Sequence, residues 1–230
     1  MAGHGWAAGP GGSRLLAGCG IAGPAAFTAA WVAGSLRQSG YGAARVQLSG
    51  LAALDARDPQ IMMAGFIGLG VCSIAFGAAL RRVAAAGSAG PWLIQAAGAA
   101  TVAAGLFRRD HMLLTAPGFA GESWHNQVHD LVSDVAYAAM IAAPLVLARR
   151  FRGYPGWAGL RRRLQALAIV SGMALALFAS RAAEPWNGTI QRAAVTLALT
   201  AEMLVAARML TPARQADPEC GPQTTTGCLT

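Results

Sequence analysis

Four ionisable side chains crowd the start of one apolar run: His125, His129, Asp130 and Asp134. Two histidines four residues apart on a helix project from the same side. That spacing can chelate one metal ion if an outer carboxylate such as Asp110 completes the set, with zinc the natural occupant. A zinc-held water would then be a nucleophile for hydrolysis. The plainer alternative is a hydrogen-bonded cluster at a helix entrance. A third is a proton-linked or ligand site in which Asp130 and Asp134 face Arg192.

The position of these groups along the run limits the choice. Between Asp134 and Arg149 the uncharged stretch is too short to cross a bilayer, so the helix must begin near Ser123, a residue type that caps helices well. At about 1.5 Å per residue, His129 lies about 30 Å from Arg149 and Asp134 about 22 Å. Asp134 therefore falls inside the hydrocarbon, where an ionised group costs about 2.5 kcal/mol or more unless it faces protein or water. On a helical wheel His125, Asn126, His129, Asp130, Ser133, Asp134 and Tyr137 share one half of the circumference, while Val128, Leu131, Val132 and Val135 fill the other. The polar half must look into a helix bundle.

The elements that position this face are six apolar stretches: Leu15 to Leu36, Pro59 to Leu80, about Pro91 to Phe107, about Ser123 to Ala148, Leu164 to Ser180 and about Gly188 to Ala207. Spanning a bilayer core takes about 20 helical residues. Hydrophobic residues make up 55% of the chain and charged residues 12%, with mean hydropathy +0.44. A soluble domain carries about twice that charge fraction. The expected fold is all-α: a polytopic six-helix membrane bundle over residues 14–211, after a short cytoplasmic segment 1–13 and before a disordered cytoplasmic tail, 212–230. A cleavable signal is the rival reading of the first stretch, but its apolar run has the length of a full span. The Ala and Gly content allows close helix approach, within the chain or in a homo-oligomer.

The net charge of +8 comes from 18 basic residues, all of them arginine. This usage, with abundant Ala and Gly, fits a GC-rich bacterium and so a bacterial cytoplasmic membrane. The arginines sit at the ends of apolar runs and are not interleaved with aromatics, so the partner they imply is the lipid bilayer and not nucleic acid. With both termini cytoplasmic, Arg37, Arg45, Arg57, Arg108, Arg109, Arg181 and Arg192 lie outside and the other eleven inside. Six of those eleven cluster between Arg149 and Arg163, and such clusters mark the cytoplasmic side. The outer face then collects the chemistry: Asp55, Asp58, Asp110, His111, Glu122 and the residues of the fourth run. Asp55 and Asp58 are placed to cap the second helix, and Arg181 with Glu184 to form a surface pair. Glu202 is expected to reach a neighbouring arginine or the interface. The four cysteines form neither a disulfide framework nor a zinc pattern.

Several short motifs occur in a fixed order: Ser49-Gly50-Leu51, then Gln60 and Gly65-Phe66, then Gly105-Leu106-Phe107 with Asp110, then Ser123-Trp124-His125 with His129, and Gly188-Thr189-Ile190-Gln191-Arg192. In these the chain resembles the bacterial integral membrane proteins catalogued as domain of unknown function 998. The resemblance covers about residues 14 to 211 and implies a six-helix membrane fold without an established activity. The polar residues it maps onto are Ser49, Asp110, His125, His129, Gln191 and Arg192. The pair Arg108-Arg109 departs from the apolar or small residues expected before Asp110. A Ser, an Asp and several His on one membrane face also resemble, in residue type alone, the seven-helix zinc amidases of the alkaline ceramidase and progestin-and-adipoQ receptor superfamily.

Three functions follow as expectations. The first is a metal-dependent hydrolase of a lipid or lipid-linked substrate, with Ser49, Asp110, His125, His129 and Asp130 as catalytic candidates and His125, His129 and Asp110 as metal ligands. The second is a proton-linked transporter or sensor that binds a small ligand through Asp134, Gln191 and Arg192. The third is a non-catalytic accessory protein.

Overall fold

A computed structural model describes residues 12–113 and 122–211; the ends of the chain and residues 114–121 lie outside the description, and with them the tail, Cys220 and Cys228. The described residues are all-α, with six long helices: α1 (Gly12–Arg37), α2 (Pro59–Leu80), α3 (Ala89–Leu106), α4 (Trp124–Arg150), α5 (Ala158–Ser180) and α6 (Asn187–Leu210). Five of them are long and apolar enough to cross a membrane. The exception, α3, has 18 residues and carries Gln95. It would rise about 27 Å and is packed between α2 and α4.

Each helix packs on its neighbours in sequence, and α6 returns to α1, so the six close a ring. Large apolar side chains such as Leu15, Val71, Leu131, Ile169 and Met173 stay exposed. In water such a surface would aggregate; in a bilayer it is the lipid-facing surface. Small residues bring backbones together inside. A Cβ on Gly70 would stand 2.4 Å from the Gly98 carbonyl oxygen and one on Gly98 2.6 Å from that of Gly70, so α2 and α3 touch main chain to main chain.

The two ends of the bundle differ. At the arginine-rich end Leu80, Leu147, Phe151, Leu164, Val205 and Met209 form a closed apolar core. At the other end the long α1–α2 connection folds back, and Val46 to Ala53 are buried. A short 3-10 turn, Ser49–Ala52, sits in this segment over a second core of Phe27, Leu51, Met62, Leu69 and Val195.

The helix boundaries follow local chemistry. Ser123 caps α4 as expected, its hydroxyl accepting from the Asn126 amide at 3.2 Å. Helix α5 begins earlier than expected, so Arg161 to Arg163 lie within its first two turns. The caps expected at α2 do not form. Asp58 occupies the N-cap position without a side-chain cap bond and instead accepts from Arg37 Nε at 2.7 Å. Asp55 accepts from the Met112 amide at 2.8 Å, joining two connections.

Candidate functional site

The folded-back segment is fastened by the first turns of α6. The Thr189 amide donates to the Ala44 carbonyl at 3.1 Å. Gln191 Oε1 accepts from the Leu48 amide at 2.7 Å. Arg192 Nη1 donates to the carbonyls of Ala43, Val46 and Gly188 at 2.7, 2.8 and 2.9 Å. Its Nη2 donates to the Tyr41 hydroxyl, and the guanidinium lies over the rings of Trp31 and Tyr41. Gly188 must be glycine here, because a Cβ would sit 2.4 Å from both the Ala43 and Val46 oxygens. Gly188, Thr189, Gln191 and Arg192 in the first turns of α6 thus form a docking strip.

A polar cavity of about 230 Å³ lies beneath that segment. Gln47 and Ser49 line it from the α1–α2 segment, and Arg109 from the α3–α4 connection. His129, Asp130, Ser133, Asp134 and Tyr137 contribute from α4, Phe178, Ala179 and Arg181 from the end of α5, and Gln191 from α6. Most of the polar half-wheel of α4 therefore borders this space: Asn126 and His129 are buried, and Asp130, Ser133, Asp134 and Tyr137 line the cavity, with Asp134 at an exposed position of its wall and His125 exposed outside it. Leu131 and Val135 on the opposite half are 64% and 47% exposed, as a lipid-facing side should be.

Charge in the cavity is partly committed. Arg109 Nη1 lies 3.3 Å from Asp130 Oδ1, with side-chain exposures of 7% and 41%. Asn126 Nδ2 donates to the other Asp130 oxygen at 3.1 Å. Gln191 is oriented by the Leu48 amide: since Oε1 accepts there, Nε2 must donate, and it does so to the Tyr137 hydroxyl at 2.7 Å. The phenol's own proton is left to donate elsewhere. Asp134 and Arg181 line the same space, and neither forms an ion pair among the described residues. Arg181 caps α5 at φ 55°, the left-handed region usually left to Gly or Asn. A non-glycine residue held there is a feature that clusters at functional sites.

A family model described as a protein of unknown function, DUF998, matches residues 21–208. The chain belongs to that family. No curated protein and no solved structure gives a match. In this DUF998 chain the motif residues carrying the resemblance are mostly fasteners of the cavity end: Gly188 to Arg192 dock the α1–α2 segment, and Ser123 with Asp110 closes the start of α4.

Several expectations need correction. The tentative metal ligands are not brought together, and among the described residues no three His, Cys, Asp or Glu side chains are grouped to hold an ion. Asp110 accepts from the Ser123 amide and hydroxyl at 2.7 and 2.6 Å, and these two bonds hold its carboxyl below the usual carboxylate range. His125 stacks on Trp124 at 3.7 Å between centroids and packs on Phe107, outside the cavity. Buried His129 contacts the Ala104 and Phe107 carbonyls through Nδ1 at 3.0 and 2.8 Å. Two carbonyl acceptors require the proton on Nδ1, so the ring ties α4 to the end of α3. Arg192 does not counter Asp130 or Asp134, because its Nη1 and Nη2 donors go to carbonyls and Tyr41 while Nε is buried without a partner; Arg109 is Asp130's partner instead. Arg181 and Glu184 form no surface ion pair. Among the described residues Glu202 reaches no arginine, and it accepts from Ser73 Oγ at 3.0 Å. Of the named candidates, the cavity gathers Ser49, His129, Asp130, Asp134 and Gln191, and leaves out Asp110, His125 and Arg192. Sequence reasoning missed Gln47, Phe178 and the cavity roles of Arg109 and Arg181. Arg109 could have been found, since it adjoins Asp110 in a connection that must pass the polar face of α4.

Proposed function

We propose that the polar cavity binds a small zwitterionic solute, taken from the outer side of the membrane, and that the protein is a solute-binding membrane protein of the transporter or sensor class. The observation that carries this reading is a pair of uncommitted opposite charges, Asp134 and Arg181, lining one space of about 230 Å³. Arg109 and Asp130 neutralise each other, so the wall offers one free site of each sign. The Tyr137 hydroxyl adds a donor fixed by Gln191. The outer placement follows from the arginine cluster at the opposite end. Metal-dependent hydrolysis is not carried forward, because Asp110, His125 and His129 are engaged separately.

The test is thermal stability in lipid nanodiscs with glycine, larger free amino acids, glycine betaine and short-chain phosphatidylcholine. The last separates a lipid headgroup from a free solute. A single-site ligand at a hundredfold excess over Kd stabilises by about 2.7 kcal/mol. At least one zwitterion should raise Tm, and Asp134→Asn and Arg181→Gln should each abolish the rise. No stabilisation by any of them, or equal stabilisation of both variants, would contradict the proposal and favour an accessory role.

A further inference from the structure

Glu202 lies about 22 Å along α6 from Asn187 and about 12 Å from Leu210, well inside the apolar span. Its two carboxyl oxygens lie 3.0 and 3.2 Å from Ser73 Oγ, and Ser73 is 2% exposed. No ion pair to Glu202 forms among the described residues. A carboxyl in hydrocarbon without a cation is costly to keep ionised and is by default a functional group.

Small spaces lie next to it and to one another, sharing walls. Glu202, Met140, Pro144 and Ala198 line a cavity of about 20 Å³. A second, of about 30 Å³, is lined by Met140, Thr101, Ser133 and Tyr137. Each exceeds the roughly 10–15 Å³ that one water needs. Met140 is a wall of both, and Ser133 and Tyr137 are walls of both the second and the polar cavity. The three spaces thus follow one another down the ring of helices, with hydroxyls at the upper junction. Below Glu202 the apolar core of Leu80, Phe151, Leu164, Val205 and Met209 closes the bundle.

We propose that Glu202 is a proton-binding site reached from the polar cavity through this line of two water-sized spaces. A proton from cavity water passes along bound water and the Ser133 and Tyr137 hydroxyls to a Glu202 carboxylate oxygen, forming an O–H bond, and leaves by the reverse route. No electron transfer or co-reactant is involved. The apolar core denies the same exchange to the arginine-rich end. The other titratable groups near Glu202 are the free thiols of Cys72 on α2, which interacts with it, and of Cys19 on α1, which shares a hydrogen bond with Cys72. Tyr137, Asp130 and Asp134 lie at the upper end of the line. The proposal does not depend on which solute the polar cavity binds.

Infrared difference spectroscopy of the full chain in lipid, between low and high pH, tests it. Wild type should show a carboxylic-acid carbonyl band that disappears as pH rises. Glu202→Gln should lack it, and Ser73→Ala should shift its frequency by removing the hydroxyl bond. Met140→Trp, which fills the shared wall, should slow deuterium exchange of the band at least tenfold. Identical difference spectra for wild type and Glu202→Gln would overturn the site, and exchange unchanged in Met140→Trp would overturn the route. If Glu202→Gln fails to fold, Glu202→Asp decides: a displaced band supports the assignment and an undisplaced one refutes it.

Discussion

Replacing Arg192 with methionine separates two roles for the one arginine buried at the start of α6. In the structure its guanidinium holds the α1–α2 segment through the carbonyls of Ala43 and Val46 and the Tyr41 hydroxyl. The Gly188 carbonyl belongs to the same helix, so losing that bond counts for less. Hydrogen bonds to a charged group contribute about 1.5–3 kcal/mol each. The two carbonyl bonds that fall within residues 43–53, leaving the Tyr41 hydroxyl aside, give about 3–6 kcal/mol, and water reaching the half-buried Ala43 oxygen trims this to about 3–5 kcal/mol. At 1.4 kcal/mol per tenfold, hydrogen-exchange protection of a peptide spanning residues 43–53 should fall roughly 10²- to 10⁴-fold, while peptides from the arginine-rich end keep theirs. The alternative, in which Arg192 is the counter-ion of Asp134, makes a different forecast. Removing both charges would then restore much of what the single change removed. A double-mutant cycle of Arg192→Met with Asp134→Asn should instead give additive losses, within about 0.5 kcal/mol. Protection within tenfold of wild type, or rescue by Asp134→Asn, would refute the docking argument.

Two further outcomes follow from the same end of the bundle. Gly188→Ala places a methyl 2.4 Å from two carbonyl oxygens, so it should destabilise by about 1–3 kcal/mol, as overpacking does, and raise exchange in the same 43–53 peptide; unchanged exchange would mean the segment is not docked there. Asp110 has its carboxyl held below the ordinary value of 3.8 by the Ser123 bonds. A depressed folded value means its stabilising contribution is complete above the unfolded value and is lost as pH falls through the folded one. Asp110→Asn should therefore flatten the loss of unfolding midpoint below about pH 4, and an unaltered acid limb would argue against the Asp110–Ser123 bonds.

What the sequence reveals here divides by the range of the interaction. The bounds of α2 and the Ser123 start of α4 are local, set by apolar run length and one capping hydroxyl, and both were legible. So was the inward turn of the α4 polar face, because 3.6-residue periodicity separates Ser133 and Tyr137 from Leu131 and Val135. Pairing was not legible. Arg192 was matched to the carboxylates by charge, yet its donors went to carbonyls of a segment about 146 residues away in the chain. A buried carbonyl left without a donor is costly, and no sequence pattern shows where one will fold back. Arg109 passed as a topology signal for the same reason. The two-histidine spacing was real as spacing, but Trp124 and Phe107 draw His125 outward while two carbonyls at the end of α3 fix His129 inward.

The central claim is a polar cavity open to water on the face opposite the arginine cluster. Cysteine accessibility tests it most directly. With Cys19, Cys72, Cys220 and Cys228 replaced, single cysteines are introduced at Ser133, which lines the cavity, and at Leu131, on the lipid-facing half of the same helix. A membrane-impermeant thiol reagent added outside intact cells should label Ser133→Cys and leave Leu131→Cys unlabelled. Labelling of Ser133→Cys only after the cytoplasmic side is opened, or no labelling from either side, would contradict it.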